Sequence, residues 1–209
     1  MTFDPLPIFK SVAARKQSTP CQIPTFNLLL VPGMQKRLLL NSTDFEITIK
    51  RICYQLIENH DDFGDSALIG LQPRGVFVAS RIHHHLSSIL NIRNICLGQL
   101  DITFYRDDFR KREIAAPAET KIDFEVENKK VILIDDVLFT GRTIRAGMDA
   151  LLDLGRPKKV ELLTLIDRRY SRHLPIAPDY TGIQVDTIAT EKVKVQWKEI
   201  DGEDSVWLI

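Results

Sequence analysis

The segment VILIDDVLFTGRT, residues 131–143, runs four apolar residues into two adjacent acids, Asp135 and Asp136. It continues through Val137, Leu138 and Phe139 into the turn Thr140-Gly141-Arg142-Thr143. Successive side chains on a strand point to opposite faces, so a buried strand is not expected to hide both carboxylates, and their mutual repulsion demands cationic or hydroxylic partners. The turn opens a helical pattern, and at such a terminus unpaired N–H groups and the helix dipole favour an anion. Gly141 can take the left-handed or closely approached backbone of a phosphate cradle, and the hydroxyls of Thr140 and Thr143 add donors. A bare acid pair reads equally well as one turn cap and one solvated carboxylate. The cradle a few residues downstream favours a sugar phosphate, the acids accepting from the ribose 2′- and 3′-hydroxyls and the cradle holding the 5′-phosphate.

Other stretches carry related chemistry. In GLQPRG, residues 70–75, Arg74 and the amides around Gly75 sit between a strand and a helix and form a second anion site. Its Gln72–Pro73 bond is an X–Pro bond, for which the cis form is accessible and is expected here. The charged stretch YRDDFRKRE, residues 105–113, places Arg106 on a loop able to close over a ligand and exclude water. The run His83, His84 and His85 is assigned no metal, because successive helical residues diverge by about 100°.

The elements that must position these residues alternate. After Asn41-Ser42-Thr43, apolar residues at Phe45, Ile49, Ile52, Cys53, Leu56 and Ile57 share one helical face. A strand at 67–71 leads to a helix with Val76, Ala79, Ile82, Leu86 and Ile89 inward. Residues 94–105 and 122–126 read as two strands of a hairpin around a long loop. The apolar run 131–134 is a strand buried on both faces. The helix that follows carries Ile144, Met148, Leu151 and Leu152 inward and stops at Gly155, and 160–167 is the next buried strand. The tail reads as two or three short antiparallel strands at the sheet edge. The fold class is α/β, a doubly wound, mainly parallel sheet flanked by helices, with ligands at the carboxyl ends of its strands.

At 209 residues, with 44% apolar and 27% charged residues, the chain fits one globular domain. Residues 1–33 read as a flexible extension or a mis-assigned start, and residues 34–209 as the domain. The formal net charge of zero supplies no global pull toward nucleic acid, and no apolar run is long enough to span a membrane. Three scattered cysteines point to a reducing cytoplasm.

With acid pair, Thr-Gly-x-Thr and helix in succession, the 131–143 segment resembles the phosphoribosyl pyrophosphate (PRPP) signature of type I phosphoribosyltransferases. Transferases for 6-oxopurines resemble one another in an aspartate three positions beyond the second acid, where this chain has Phe139. Over residues 34–209 the chain is similar to the bifunctional pyrimidine operon regulatory protein/uracil phosphoribosyltransferase family. The similarity is carried by LGQLDITFYRDD at 97–108, the stretch 132–168 and EKVKVQ at 191–196. That resemblance implies a type I phosphoribosyltransferase fold and transfer of the phosphoribosyl group from PRPP to uracil, giving UMP and pyrophosphate. It also implies Mg2+ held mainly through PRPP or pyrophosphate, a homodimer or higher homo-oligomer, and in some members binding of pyrimidine leader RNA.

On the same resemblance Asp135, Asp136 and Arg106 are the catalytic residues, and Val137, Leu138, Phe139, Thr140, Gly141, Arg142 and Thr143 bind the sugar phosphate. Gln72, Pro73, Arg74 and Gly75 form the pyrophosphate loop, and Asp167 and Arg168 open the segment that shapes the uracil pocket. No protein metal ligand is implied. Departures fall in DRRYSRHLP at 167–175, longer by one residue than the family pattern and without its Gly-His, and in GIQVDTIATEKV at 182–193, which lacks lysines common there. These bear on RNA binding more than on catalysis. An RNA-binding attenuator without significant catalysis, and a transferase for orotate or adenine, remain the competing readings.

Overall fold

The computed structural model describes residues 36–107, 117–188 and 190–209. The extension expected at 1–33 and most of the charged loop, 108–116, lie outside them. Five parallel strands form the main sheet in the order β3 (Cys96–Leu100), β2 (Ser66–Leu71), β4 (Lys130–Leu138), β5 (Lys159–Arg169), β6 (Tyr180–Asp186). Helices α1 (Ser42–His60) and α2 (Gly75–Leu90) cover one face and α3 (Arg142–Leu152) the other. Strand order reverses between β2 and β4. The two loops leaving their carboxyl ends are those predicted to bind anions, and such a reversal is where open α/β sheets bind ligands.

The expected central strand runs on through both acids to Leu138. Val131 and Leu133 join the core under α3, while Ile132 and Ile134 join the core under α1 and α2. Continuous apolarity is what burial on both faces requires. Asn41 caps α1, its side-chain oxygen accepting from the Asp44 amide.

Several expectations are corrected. The hairpin partner at 122–126 is not a strand: a single bridge, Gln99 to Lys121, closes it. Ile122, Phe124 and Val126 instead turn their side chains into the α3-side core, and a Cβ at Gly98 would collide with Ile122. On α3, Met148 and Leu152 are exposed, and Ala146, Gly147 and Ala150 face the sheet. The helix lies so near β2 that a Cβ at Gly147 would meet Leu71 at 2.9 Å, so small residues occupy that stripe. On α2, Val78 rather than Val76 is buried, and Ile89 is exposed.

The tail divides. Residues 180–186 are parallel and belong to the main sheet, whereas β7 (Val193–Gln196) and β8 (Ser205–Leu208), joined through α4 (Lys198–Asp201), form a separate antiparallel sheet. Its third strand is β1 (Arg37–Leu40), which has too few residues for its alternation to be read from sequence. No helix among the described residues is long and apolar enough to cross a membrane.

Candidate active site

Asp135 and Asp136 are both buried, 7% and 8% exposed, contrary to the expectation that one would reach solvent. Both fit because alternation sends them to opposite sides of the sheet. Asp135 lines a cavity of about 260 Å³ with Arg106, Val137, Leu138, Phe139, Thr140, Gly141, Arg142, Thr143 and Ile144. Asp136 lies toward α2, within the field of Arg74. The Asp136 amide donates to Asp135 Oδ1 at 2.9 Å.

Burial, and then the neighbouring Asp136 charge, pushes the Asp135 carboxyl well above the usual range, with Arg106 pulling the other way. Burial likewise raises Asp136, opposed by Arg74 and by hydrogen bonds including one from the Val137 backbone. A desolvated acid pair of this kind gains most from hydroxyl donors or a cation.

The backbone expected at Gly141 is present. Gly141, at φ +89°, is the residue before α3, and the Arg142 amide donates to Thr140 Oγ1 at 3.4 Å. The left-handed backbone favours glycine, and a Cβ there would also come within 3.2 Å of Ile176. Arg142 itself ion-pairs with Asp107, linking the start of the charged loop to the cradle.

The residues 72–75 do not line this cavity but abut it. The Gln72–Pro73 bond is cis, the Gln72 amide donates to the Leu100 carbonyl at 3.0 Å and its side chain donates to the Glu119 carbonyl at 2.8 Å. Arg74 precedes α2. Gly75 packs so tightly beneath the acid pair that a Cβ would overlap the Ile134 carbonyl oxygen.

Asp167 and Arg168 end β5 beside a second cavity of about 240 Å³, lined by Phe139, Tyr170, Ser171, Arg172, His173, Thr187 and Ile188. Phe139 borders both spaces. Neither Asp167 nor Arg168 lines the second cavity. Asp167 is buried against Arg172, and Arg168, buried at 5% exposure, donates to Thr187 Oγ1 and the Glu191 carbonyl while lying over the Phe139 ring. Tyr170, Ser171, Arg172 and His173 lie in the segment expected to shape the base pocket, whereas Thr187 and Ile188 were left out of the site by sequence reasoning. The available signal for Arg172 was its position in RRYSRHLP, four residues after Arg168.

A phosphoribosyl transferase domain model matches residues 37–200. The protein named "Bifunctional protein PyrR" from Microcystis aeruginosa is 44% identical over 171 residues, covering 82% of this chain and 96% of the relative. The protein of that name from Enterococcus faecalis is 40% identical over 175 residues, covering 84% and 97%. The chain belongs to the PyrR family. Among solved structures, a hypoxanthine phosphoribosyltransferase from Staphylococcus aureus matches with a TM-score of 0.61 at 19% identity, over 81% of this chain and 90% of that one. The Trypanosoma cruzi hypoxanthine phosphoribosyl transferase gives 0.62 at 14%, over 83% and 91%. These likenesses show the type I phosphoribosyltransferase fold. Within it this chain has Phe139 three residues beyond the acid pair, 42% exposed at the junction of the two cavities.

Proposed function

We propose that the protein transfers the phosphoribosyl group of PRPP to uracil, giving UMP and pyrophosphate. The observation that carries this reading is the pair of adjoining cavities that meet at Phe139, one lined by Asp135 and residues 140–143, the other by Tyr170, Thr187 and Ile188. In the first, Thr140, Gly141, Arg142 and Thr143 hold the 5′-phosphate, and Asp135 and Asp136 accept from the ribose hydroxyls. The second takes a planar base against an aromatic and aliphatic wall.

In the reaction a bond forms between uracil N1 and ribose C1 as the C1–O bond to pyrophosphate breaks. The leaving group keeps the bonding pair and the N1 proton passes to solvent. No protein nucleophile is required: positioning and electrostatic stabilisation carry the rate. Buried carboxylates stabilise the positive charge that builds on the sugar. Arg74 and Arg106 offset charge on the departing pyrophosphate, and Gly75 lets the 72–75 backbone approach closely.

Among the described residues no group of three His, Cys, Asp or Glu side chains converges as a metal site. The hard oxygens of Asp135 and Asp136 fit Mg2+ that arrives on PRPP and keeps several waters, since such ions need only one or two carboxylates. When bound, Mg2+ neutralises pyrophosphate charge.

Regulation through pyrimidine leader RNA is the second reading, favoured by the relatives' name. Against direct use of the rim arginines for RNA, each has an internal partner: Arg142 with Asp107, Arg145 with Asp149, Arg168 with Thr187 and Glu191, Arg169 with Asp186 and Arg172 with Asp167. RNA phosphates would have to displace these contacts. The test is a gel shift with pyrimidine leader RNA, with and without UMP, beside an assay of UMP formation. UMP formation with no nucleotide-dependent shift leaves the enzyme alone; a shift with no turnover leaves the regulator alone. A soluble cytoplasmic homodimer fits both readings.

A further inference from the structure

The Arg172 guanidinium is engaged on every side. Nε donates to the Ile176 carbonyl at 3.1 Å, and Nη1 donates to the carbonyls of Leu138 at 3.1 Å, Arg168 at 3.0 Å and Phe139. Nη2 pairs with Asp167, whose carboxylate is buried. Three separate pieces of chain therefore meet on one planar group: the end of β4 where the sugar-phosphate loop begins, the end of β5, and the 171–176 segment.

That segment also touches the loop directly. The amides of His173 and Leu174 donate to the Thr140 carbonyl at 3.0 and 3.3 Å, and Ile176 and Leu174 pack where a Cβ on Gly141 would sit. The carbonyls of residues 138–140 are thereby taken up by Arg172 and by the 173–174 amides, on the stretch that lines the cavity. The turn between β4 and α3 needs such contacts, since ordering each loop residue costs about 1 to 2 kcal/mol of backbone entropy.

We infer that Arg172 is a positioning residue for PRPP. Held by Asp167, it sets the backbone of the 138–141 turn so that the phosphate cradle is formed before ligand arrives. The inference rests on the reading of residues 140–143 as a 5′-phosphate site and extends it to a residue that lines the base cavity, so that base and phosphate sites share one brace. Arginine is required because only its forked, planar donor set can reach these acceptors at once; lysine offers a single ammonium.

The experiment is calorimetric titration of PRPP with Mg2+ into the full chain with no base present, for wild type, Arg172→Gln, Arg172→Lys, Asp167→Asn and Arg172→Gln/Asp167→Asn. PRPP affinity is then read whether or not uracil is the acceptor, so failure here and failure of the uracil reading remain separate outcomes. The expected result is a loss of PRPP affinity of about ten- to a hundredfold in Arg172→Gln, the scale of a misplaced binding group. Lysine does not rescue it, Asp167→Asn reproduces it in part, and the double variant is no worse than Arg172→Gln, because the two residues act as a unit. Should Arg172→Gln not fold, Asp167→Asn carries the same expectation. Wild-type PRPP affinity in either single variant, even with a lowered Tm, overturns the inference, as does an Arg172→Lys protein that binds PRPP normally.

Discussion

The Arg168 guanidinium carbon lies 4.0 Å from the centre of the Phe139 ring. Burial lowers Arg168 from its ordinary value, with Glu191 opposing, so the ring face and the Thr187 and Glu191 oxygens compensate a cation withdrawn from water. The contact fixes Phe139 where the two cavities meet, the proposed ribose and base sites. Phe139→Ala is expected to lower kcat/KM for uracil by about tenfold or more, since a stacked aromatic contact is worth about 1 to 3 kcal/mol. PRPP affinity should change much less. Steady-state kinetics with each substrate varied in turn checks the split.

In the proposed reaction the buried acid pair meets the ribose. Asp136→Asn is expected to reduce turnover by about a hundredfold or more while circular dichroism stays native, because the group removed is one whose charge matters in the transition state. Unchanged kinetics would show that the carboxylates do not meet the ribose.

Asp135 gives the complementary result. Its folded-state pKa is raised, first by burial and then by Asp136. Its stabilising contribution is therefore fully present below the unfolded carboxylate value and is lost as pH rises through the raised folded-state value. Asp135→Asn should raise the stability of the free protein at neutral pH by about 0.5 to 2 kcal/mol, at the expense of activity. Thermal melts with and without PRPP check this: the variant melts higher alone and gains less from the ligand.

At the opposite end of the sheet, His60 is buried between Ser66 Oγ, 2.8 Å from Nδ1, and Glu161, 2.8 Å from Nε2, with the Tyr180 hydroxyl 3.2 Å from Nε2. Burial lowers its pKa, opposed by Glu161 and reinforced by Lys130 and Lys159. The neutral ring is the favoured folded form, so its contribution is complete above the unfolded value and is lost as pH falls. Melting temperature should drop between about pH 8 and about pH 5, and His60→Gln should flatten that drop, histidine being the group that titrates there. An equal slope in the variant would assign the pH dependence elsewhere.

Gly75 tests the loop beneath the acids. A Cβ would overlap the Ile134 carbonyl, so Gly75→Ala must move α2 or β4, at a cost of about 1 to 3 kcal/mol. Denaturant unfolding measures it, and an unchanged midpoint would show that the approach is looser.

Much of this was legible in the sequence, and for identifiable reasons. β4 was clear because VILI is apolar on both faces, and the start of α3 because a glycine between threonines opens a helix. Sequence missed what depends on distant chain. Whether both acids could be buried turned on Arg74 and Arg106 lying on either side of the sheet. The α3 face was misjudged because proximity to Leu71, not periodicity, selects small residues at Ala146, Gly147 and Ala150. Residues 122–126 had the composition of a strand, yet their side chains cap a core. The segment beside the second cavity was marked by resemblance, but it is irregular, and no periodicity singles out Arg172 as the side chain that turns inward.

The most direct measurement of the account is pyrophosphate release with PRPP and Mg2+ across uracil, orotate, adenine, hypoxanthine and guanine. The account predicts release with uracil, accompanied by UMP, and background rates with the others. Release with orotate, adenine or a 6-oxopurine, and none with uracil, would contradict it.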